Sequence, residues 1–456
     1  MKILLLSTYE LGRQPFGIAS PAAWLRERGH EVVCNDLSRE TLSEQAARGA
    51  DLIGLYVPMH TATRLALELL PTLRRLNSNA HLCAFGLYAA TSREIFHANG
   101  VTSLFSGEFE QALVDLADQL SHPTPASPVQ AATPSDISLA RLRFKVPDRR
   151  GLPSLKSYAH LVLPSGEHRT VGYTEASRGC KHHCRHCPVV PIYNGAFRLV
   201  DPEVVLADIR QQVSAGAQHI TFGDPDFFNA VRHTVPIIES LHHEFPQITY
   251  DATIKVEHLR KNADLLPRLR DTGCLFVVSA VESLDDAVLA HLEKNHTREE
   301  FFQVVELFRR ERLTLQPTFV SFTPWTTLDS YLDLLAQLQR LDLVESVAPV
   351  QLTIRLLIPA GSRLLELPEV RQIAGPFDAQ SLVYPWSNPD PRVDQLAANL
   401  QAIVTASEES KLTRSETFSR IWRAANLAAN RRIEFNALPL IAGRATVPYL
   451  NEPWYC

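Results

Sequence analysis

The sequence lacks the features that direct a protein into or across a membrane. No uninterrupted apolar stretch approaches the roughly 20 residues that a membrane-spanning helix needs. The apolar run at residues 3–6 is too short for a signal peptide and is followed by polar residues. The net charge of -5 over 456 residues gives no overall positive field that would attract nucleic acids or anionic lipids. We therefore expect a cytoplasmic protein without nucleic-acid or membrane partners.

Cysteine is scarce, and three of the seven cysteines stand in one short loop. Cys180, Cys184 and Cys187 have the spacing C-x3-C-x2-C and directly follow a strand-like run over residues 171–177. Such a loop can bring three thiolates to one metal centre, and iron–sulfur clusters are ligated chiefly by cysteine. Three ligands on a four-iron cluster leave one iron open. That iron can bind the amino and carboxylate groups of S-adenosylmethionine (SAM).

Zinc is the main alternative to a cluster at this loop. It could take the three cysteines together with His182, His183 or His186 in a tetrahedral site, which would make the chain a zinc-stabilised binding protein. Structural zinc sites, however, usually combine two ligand pairs that lie far apart in sequence, and the sequence shows no second pair. A disulfide is disfavoured because nothing marks the chain as secreted. We therefore expect a cluster and polar loop histidines, of which His186 could pack against the cluster or the adenine of SAM.

The first part of the chain alternates strands and helices. Continuously apolar strand candidates predict a doubly wound parallel sheet over residues 1–120. These candidates are residues 2–7, 31–36, 51–57, 81–86 and 103–106. No G-x-G-x-x-G follows the first strand, which disfavours a nicotinamide dinucleotide. Residues 121–164 are rich in proline, serine, threonine and alanine, and they predict a linker.

The alternation resumes from residue 165 and continues to about residue 374. The strand candidates are residues 171–177, 219–223, 248–255, 275–280, 315–322 and 351–357. Barrel enzymes place their chemistry at the carboxyl ends of the strands, and Cys180 lies just past the first of these strands. Residues 375–456 predict an irregular segment, two amphipathic helices and a tail.

The cysteine loop resembles that of the radical SAM superfamily, and the six repeats resemble its partial (β/α)6 barrel. The resemblance implies that Cys180, Cys184 and Cys187 ligate a [4Fe–4S] cluster, which a reductant such as flavodoxin or ferredoxin supplies with electrons. It also implies reductive cleavage of SAM to methionine and a 5′-deoxyadenosyl radical. That radical would abstract hydrogen from a small-molecule or peptide substrate.

The segment before the loop resembles the flavodoxin-like, cobalamin-binding domain of cobalamin-dependent radical SAM enzymes. This resemblance implies a transferase that moves a methyl group to an unactivated carbon. The Asp-x-His-x-x-Gly signature of many corrinoid proteins is absent. The domain therefore either holds cobalamin without a lower histidine ligand or only covers the active site. In the second case the enzyme makes a rearrangement or a C–S or C–heteroatom bond. His60 is either a cobalt-side residue or a surface or helix-capping residue.

Three residues after the second barrel strand are candidates for binding SAM. Gly223, Asp224 and Asp226 occupy the place of the family's Gly-Gly-Glu-type motif, which holds the amino group of SAM. An aspartate can accept charge-assisted hydrogen bonds from an ammonium. An ordinary Asp-Pro turn at a strand end is the other interpretation of the same residues.

Further candidates for SAM binding lie at later strand ends. Glu282, with Ser279 as a second residue, stands where the family binds the ribose or the ammonium of SAM. The alternative for Glu282 is an acidic residue at a helix N-terminus. Arg355 stands alone among apolar neighbours and would be costly to bury unpaired. It either reaches the carboxylate of SAM or forms a structural salt bridge.

The two ends of the chain resemble a narrower group, the CUAEP/CCAEP-tail radical SAM (seleno)protein family. The similar segments are residues 9–17, residues 57–61 and the ending at Cys456. That family ends in Cys-Sec-Ala-Glu-Pro or Cys-Cys-Ala-Glu-Pro. Either a selenocysteine codon was read as a stop, so that a longer selenoprotein is truncated here, or the tail has been lost. The resemblance implies that Cys456 is a catalytic thiol.

Overall fold

The computed structural model describes residues 1–122, 137–431 and 445–452. These residues form two large sheets, each with helices packed on it, and one small antiparallel sheet of two strands, so the predicted α/β class is confirmed. Among the described helices, none has the length and the apolar composition that a bilayer crossing requires.

The first sheet is a parallel sheet in the strand order β2-β1-β3-β4-β5-β6. Its elements in chain order are β1 (Lys2–Ser7), α1 (Phe16–Glu27), β2 (Glu31–Asp36), α2 (Glu44–Gly49), β3 (Leu52–Tyr56), α3 (His60–Leu76), β4 (His81–Phe85), α4 (Leu87–Thr91), α5 (Arg93–Ala98), β5 (Ser103–Gly107), α6 (Glu110–Ser121) and β6 (Ile137–Ser138). Neighbouring residues of β1 point into different apolar cores, Leu4 into one and Leu5 into the other. Because helices cover both faces, the central strands β1, β3 and β4 are largely apolar, as the doubly wound prediction requires.

The second sheet has the strand order β14-β13-β12-β11-β8-β7-β15. The remaining elements are β7 (His160–Val162), β8 (His168–Thr174), β9 (Ser177–Gly179), α7 (Val190–Tyr193), β10 (Phe197–Leu199), α8 (Pro202–Ser214), β11 (His219–Phe222), α9 (Val231–Glu244), β12 (Thr249–Thr253), α10 (Val256–Lys261), α11 (Leu266–Asp271), β13 (Cys274–Glu282), α12 (Asp286–His291), α13 (Arg298–Glu311), β14 (Thr314–Phe319), α14 (Leu328–Arg340), α15 (Pro368–Ile373), α16 (Pro391–Glu409), α17 (Arg414–Ala428) and β15 (Tyr449–Leu450). Strands β8 and β11 to β14 are parallel, and β7 and β15 add an antiparallel edge.

The helices between these strands begin where the sequence supplies capping groups. The Asp201 carboxylate accepts the N–H of Glu203 at the start of α8, and Pro202 occupies the first turn. Thr297 and Glu300 form a reciprocal capping box at the start of α13. Such signals fix the residue at which each strand-to-helix connection ends and the helix begins.

The prediction of a sixth barrel strand over residues 351–357 is wrong. Residues Pro349–Leu352 form a 3-10 turn, because the fixed φ and missing N–H of proline suit the first turn of a helix. The predicted strand is reduced to a single parallel bridge between Phe322 and Arg355. The described barrel therefore has five parallel strands.

The linker region and the C-terminal region both contribute to the two sheets. Strand β6 pairs with β5 of the first sheet, and β7 pairs with β8 of the second, so the predicted linker of residues 121–164 contains two strands that were not predicted. The predicted C-terminal helices are present as α16 and α17, and both pack on the core of the barrel. The boundaries of the domains at residues 120, 164 and 374 stay a prediction.

Candidate active site

The cysteine loop leaves the sheet through a position that favours glycine. Gly179 ends β9 with φ at 77°, and an added Cβ would lie 2.4 Å from Cδ1 of Tyr193. Cys180 follows at once. Cys180 and Cys184 are buried, and Cys187 is half-buried. Burial raises the pKa of the Cys187 thiol to about 12, so this thiol releases a proton when it becomes a metal ligand.

The loop is held in place by the segment that follows β13 and by a later arginine. The backbone N–H of Arg185 donates to the carbonyl of Leu292 at 3.0 Å. The side chain of Arg185 lies 2.7 Å from the carboxylate of Glu293. Arg363 donates to the carbonyl of His183 at 2.6 Å. The positions of the three cysteines are therefore set by contacts across the carboxyl end of the barrel.

Two buried lysines face the cysteines, and neither was predicted to lie at the site. The Nζ of Lys255 lies 3.7 Å from the Sγ of Cys184. The Nζ of Lys294 lies 3.3 Å from Oε1 of Glu282. Burial lowers the pKa of Lys294, but the carboxylate of Glu282 and the nearby Cys184 outweigh burial and raise it. Buried positive charge beside three thiols fits a negatively charged iron–sulfur cluster, because iron–sulfur centres are tuned by charge and by hydrogen bonds to sulfur.

The loop histidines face carboxylates. Asp226 is fully buried between His258, whose Nδ1 lies 2.6 Å from its Oδ2, and His182, whose Nε2 lies 3.4 Å from the same oxygen. Burial would raise the pKa of Asp226, but the two histidines outweigh it and hold the pKa at about 2. The Nε2 of His186 lies 3.1 Å from Glu282.

This arrangement bears on the zinc alternative and on Asp226. In the part of the chain that the structure describes, one group of potential metal ligands has all its ligand atoms within 4.8 Å of one another, and it consists of His182, Asp226 and His258. The three cysteines are outside this group, so the described residues give no compact Cys3His site. The carboxylate that was a candidate for SAM binding is instead turned towards two histidines.

Gly223 and Asp224 form a tight turn directly beside the start of the cysteine loop. The carboxylate of Asp224 accepts hydrogen bonds from the N–H of Ala176, at 3.0 Å, and from the hydroxyl of Ser177. Burial raises the pKa of Asp224 to about 7. A Cβ added to Gly223 would lie 1.8 Å from Oη of Tyr173, so the turn has no room for a side chain at this position.

A cavity of about 310 Å³ lies inside the barrel below this turn. Its wall includes Gly223, Asp224, Asp251, Phe276 and Gln316. Residues 449–452 close one side of the cavity. The predicted SAM-binding residues Gly223 and Asp224 therefore share one cavity with side chains of the barrel strands.

Of the two candidates on β13, Glu282 contacts the cysteine loop through His186. Glu282 ends β13 in the left-handed region, with φ at 70°. Burial would raise the pKa of Glu282, but Lys294 and His186 outweigh it and hold the pKa at about 2. Ser279 is fully buried, and its hydroxyl oxygen has no hydrogen-bond partner among the described residues.

Arg355 forms a structural ion pair, which was one of its two alternatives. Its Nη1 lies 2.6 Å from the carboxylate of Asp394, and its Nη2 donates to the carbonyl of Trp386 at 2.6 Å. The guanidinium also lies over the Trp386 ring, 3.6 Å from its centre. These contacts occupy the guanidinium within the described residues, and a role of Arg355 in SAM binding stays a prediction. Cys456 lies outside the described residues.

The carboxyl edge of the first sheet faces the cysteine loop. Leu87 and Ala90 of α4 pack against the apolar cluster that contains Cys180. His60, the candidate for the cobalt side, is buried, and its Nε2 lies 2.6 Å from the carbonyl of Ser381. This nitrogen is therefore bonded within the protein rather than open to a ligand.

Sequence reasoning missed Lys255, Lys294, His258 and Arg178. A signal for Lys255 existed, because it ends a predicted apolar strand at the barrel edge where chemistry is concentrated. Lys294 and His258 lie on ordinary polar stretches and carried no signal. Arg178 lies two residues before Cys180, but two of its acidic partners, Glu108 after β5 and Glu110 at the start of α6, meet it only in the fold.

The comparisons with known proteins agree with this geometry. The family model of the radical SAM superfamily matches residues 174–324, which include the cysteine loop and strands β11 to β14. The ribosomal protein uS12 methylthiotransferase RimO of Parabacteroides distasonis is 26% identical over 152 residues, which cover 31% of this chain and 34% of RimO. RimO of Geobacter sulfurreducens is 25% identical over 172 residues, or 36% of this chain and 38% of that protein. The chain thus matches little more than a third of the length of these relatives.

Solved structures share the fold over more of the chain. The cobalamin-dependent SAM radical enzyme OxsB, solved with aqua-cobalamin and SAM, has a TM-score of 0.67 at 15% identity and covers 93% of this chain and 71% of its own. The radical SAM methyltransferase TsrM of Kitasatospora setae, solved with tryptophan and a SAM analogue, has a TM-score of 0.59 at 16% identity. That match covers 75% of this chain and 72% of TsrM. At these identities the likeness shows the fold.

Proposed function

Residues 174–324 are a radical SAM domain, and we propose that the chain uses it to cleave SAM reductively at a [4Fe–4S] cluster. The supporting observation is the placement of Cys180, Cys184 and Cys187 on one loop at the carboxyl end of the barrel, next to the buried ammonium of Lys255. The cluster, when bound, supplies the electron that breaks SAM into methionine and a 5′-deoxyadenosyl radical.

The chain's own residues bind and orient SAM in this proposal. Gly223 and Asp224 stand at the end of β11 and line the barrel cavity, so they are placed to meet the methionyl part of SAM. Ser279 offers a buried hydroxyl without a partner among the described residues, and Glu282 stands beside the cysteines. Asp226 orders the loop through His182 rather than contacting SAM. The cavity of about 310 Å³ has room for a small substrate or one side chain of a peptide.

The test is anaerobic reconstitution with iron and sulfide, followed by SAM and dithionite and mass spectrometry for 5′-deoxyadenosine. We expect 5′-deoxyadenosine from the wild-type chain and none from Cys184→Ala. Cys83→Ala is the matched control, because Cys83 is a buried cysteine in the core of the first sheet. Equal 5′-deoxyadenosine from both variants, or none from the wild type, would contradict the proposal.

Cobalamin-dependent methyl transfer to an unactivated carbon is the second candidate. It is supported by the fold that the chain shares with OxsB over 93% of its length and by the first sheet, whose carboxyl edge faces the cysteine loop. Cobalamin, when bound there, would supply the methyl group. The chain offers it no free histidine at His60, and Leu87 at this edge packs against the apolar cluster that contains Cys180.

Bound corrinoid separates this candidate from a radical SAM enzyme that works without cobalamin. The protein is mixed anaerobically with hydroxocobalamin and gel-filtered, and its visible spectrum is recorded before the cluster is reconstituted. One equivalent of retained corrinoid, and methylated product only in its presence, supports methyl transfer. A colourless protein that still forms 5′-deoxyadenosine supports the cobalamin-independent alternative.

A further inference from the structure

Lys255 is a buried cation whose partner is a sulfur atom. Its side chain extends from the residue before α10, and the residue is 6% exposed. The contact that its ammonium makes within the described residues is with the Sγ of Cys184, at 3.7 Å, and no described carboxylate forms an ion pair with it. Burying an ammonium without a negative partner is costly. Negative charge on the sulfur of Cys184 would therefore offset the cost of burying the ammonium of Lys255.

Lys294, the other buried lysine beside the cysteines, differs from Lys255 because it has a carboxylate partner. The Nζ of Lys294 lies 3.3 Å from Oε1 of Glu282. A buried carboxylate close to Lys255 in space is that of Asp226, but its Oδ2 faces His182 and His258. Its other oxygen accepts the backbone N–H of Lys255 at 3.4 Å, not the ammonium. Lys255 is thus left to balance charge on the cysteine loop.

We propose that Lys255 is a positioning residue that stabilises the reduced form of the cluster. The proposal rests on the proposed cluster, and it adds a residue that sets the cluster's reduction potential. A cluster held by three thiolates carries net negative charge, and the electron taken from the reductant makes it more negative. A buried ammonium beside one ligand sulfur stabilises the reduced state more than the oxidised state, because Coulomb interactions are strong where water is excluded. No proton or bond changes in this step.

The test is a redox titration of the reconstituted full-length protein without SAM. The amount of reduced cluster at each potential is measured from its electron paramagnetic resonance signal. We expect Lys255→Met to lower the ratio of reduced to oxidised cluster at a fixed potential by about tenfold, equivalent to about 59 mV for a one-electron couple. Lys255→Arg keeps the charge and should restore most of the ratio. Lys261→Met is the matched control, since Lys261 is an exposed lysine at the end of α10, and it should leave the ratio unchanged.

Iron and sulfide content and the thermal unfolding midpoint are measured on every variant. A Lys255→Met protein that folds but assembles less cluster, while Lys255→Arg assembles a full one, also supports the charge requirement. A fully loaded Lys255→Met with the wild-type potential overturns this inference and leaves SAM cleavage standing. A Lys261→Met shift as large as that of Lys255→Met overturns it as well. A wild-type protein that binds no [4Fe–4S] cluster overturns the proposed function and this inference together.

Discussion

The guanidinium of Arg178, two residues before Cys180, lies 2.7 Å from the carboxylate of Glu110 at the start of α6. Its Nε lies 2.9 Å from Glu175, and Glu108 is 3.4 Å away. Burial raises the pKa of Glu108 to about 7, and Arg178 opposes this rise. One buried arginine therefore joins the base of the cysteine loop to the carboxyl edge of the first sheet.

Removing Arg178 should destabilise the protein strongly. Arg178→Met leaves the buried Glu108 and Glu110 and the half-buried Glu175 without their cation, and breaking a buried ion pair in this way costs about 3–5 kcal/mol. The measurement is the free energy of unfolding from urea titrations. Arg150→Ala is the control, because Arg150 is exposed and its pair with Asp148 lies at the surface, so its unfolding should be nearly unchanged. Equal effects of the two substitutions would contradict the importance of this ion-pair group.

The pair of Glu282 and Lys294 should behave as a coupled unit. Lys294→Met leaves Glu282 buried and charged, so we expect a loss of about 3–5 kcal/mol of unfolding free energy. Adding Glu282→Gln removes the uncompensated charge and should recover part of that loss. A double-mutant cycle measures the coupling, and unfolding free energies that simply add would contradict the pairing.

Glu10 should make the protein less stable as the pH rises. Burial raises the pKa of Glu10 from 4.5 to about 8, with the nearby Glu175 adding to the effect. Between these values the folded protein holds a proton that the unfolded chain has released, so the unfolding free energy falls as the pH rises through this window.

Replacing Glu10 with glutamine should therefore remove that loss. Glu10→Gln resembles the protonated form, and its advantage over the wild type should grow from about pH 4.5 to about pH 8, reaching on the order of a few kcal/mol. It is measured by urea unfolding at several pH values, with Glu31→Gln at an exposed position of β2 as the control. An advantage that does not change with pH would count against the raised pKa.

Gly223 should not tolerate a side chain. The Cβ of Gly223→Ala would come within 1.8 Å of Oη of Tyr173, whose ring packs against Phe16 and lies under Arg13. Overpacking of this kind costs about 1–3 kcal/mol and would displace the turn that carries Asp224. The expected result is a lower unfolding free energy together with weaker SAM binding by calorimetry. Gly49→Ala is the control, because a Cβ there meets open space, and normal SAM binding by Gly223→Ala would show that the turn does not contact SAM.

The parts of the fold that depend on local pattern could be predicted from the sequence. Strands β1 and β2 have the predicted bounds, because each is a short apolar run with polar residues at its two ends. Residues 351–357 failed because their alternating pattern suits a strand, whereas Pro349 starts a turn and Arg355 is drawn to Asp394.

The candidate site likewise combines features set by local sequence, which could be predicted, with contacts between distant residues, which could not. The three cysteines could be predicted because their spacing is local and a short loop suffices to bring them together. The contact between Lys255 and Cys184 could not, since it joins residues that are 71 positions apart through the curvature of the sheet. Asp226 was predicted to bind SAM, and its contact with His258 of α10 could not be foreseen, because that histidine follows the next strand of the barrel.

The central claim is that three cysteines hold a four-iron cluster with one iron open to SAM. Mössbauer spectroscopy of the anaerobic protein, reconstituted with Mössbauer-active iron and recorded with and without SAM, tests it most directly. The account predicts that one of the four iron sites changes its spectrum when SAM is added, and that Cys180→Ala, Cys184→Ala and Cys187→Ala each lose the cluster. Four iron sites that do not respond to SAM, or zinc bound in place of iron, would contradict it.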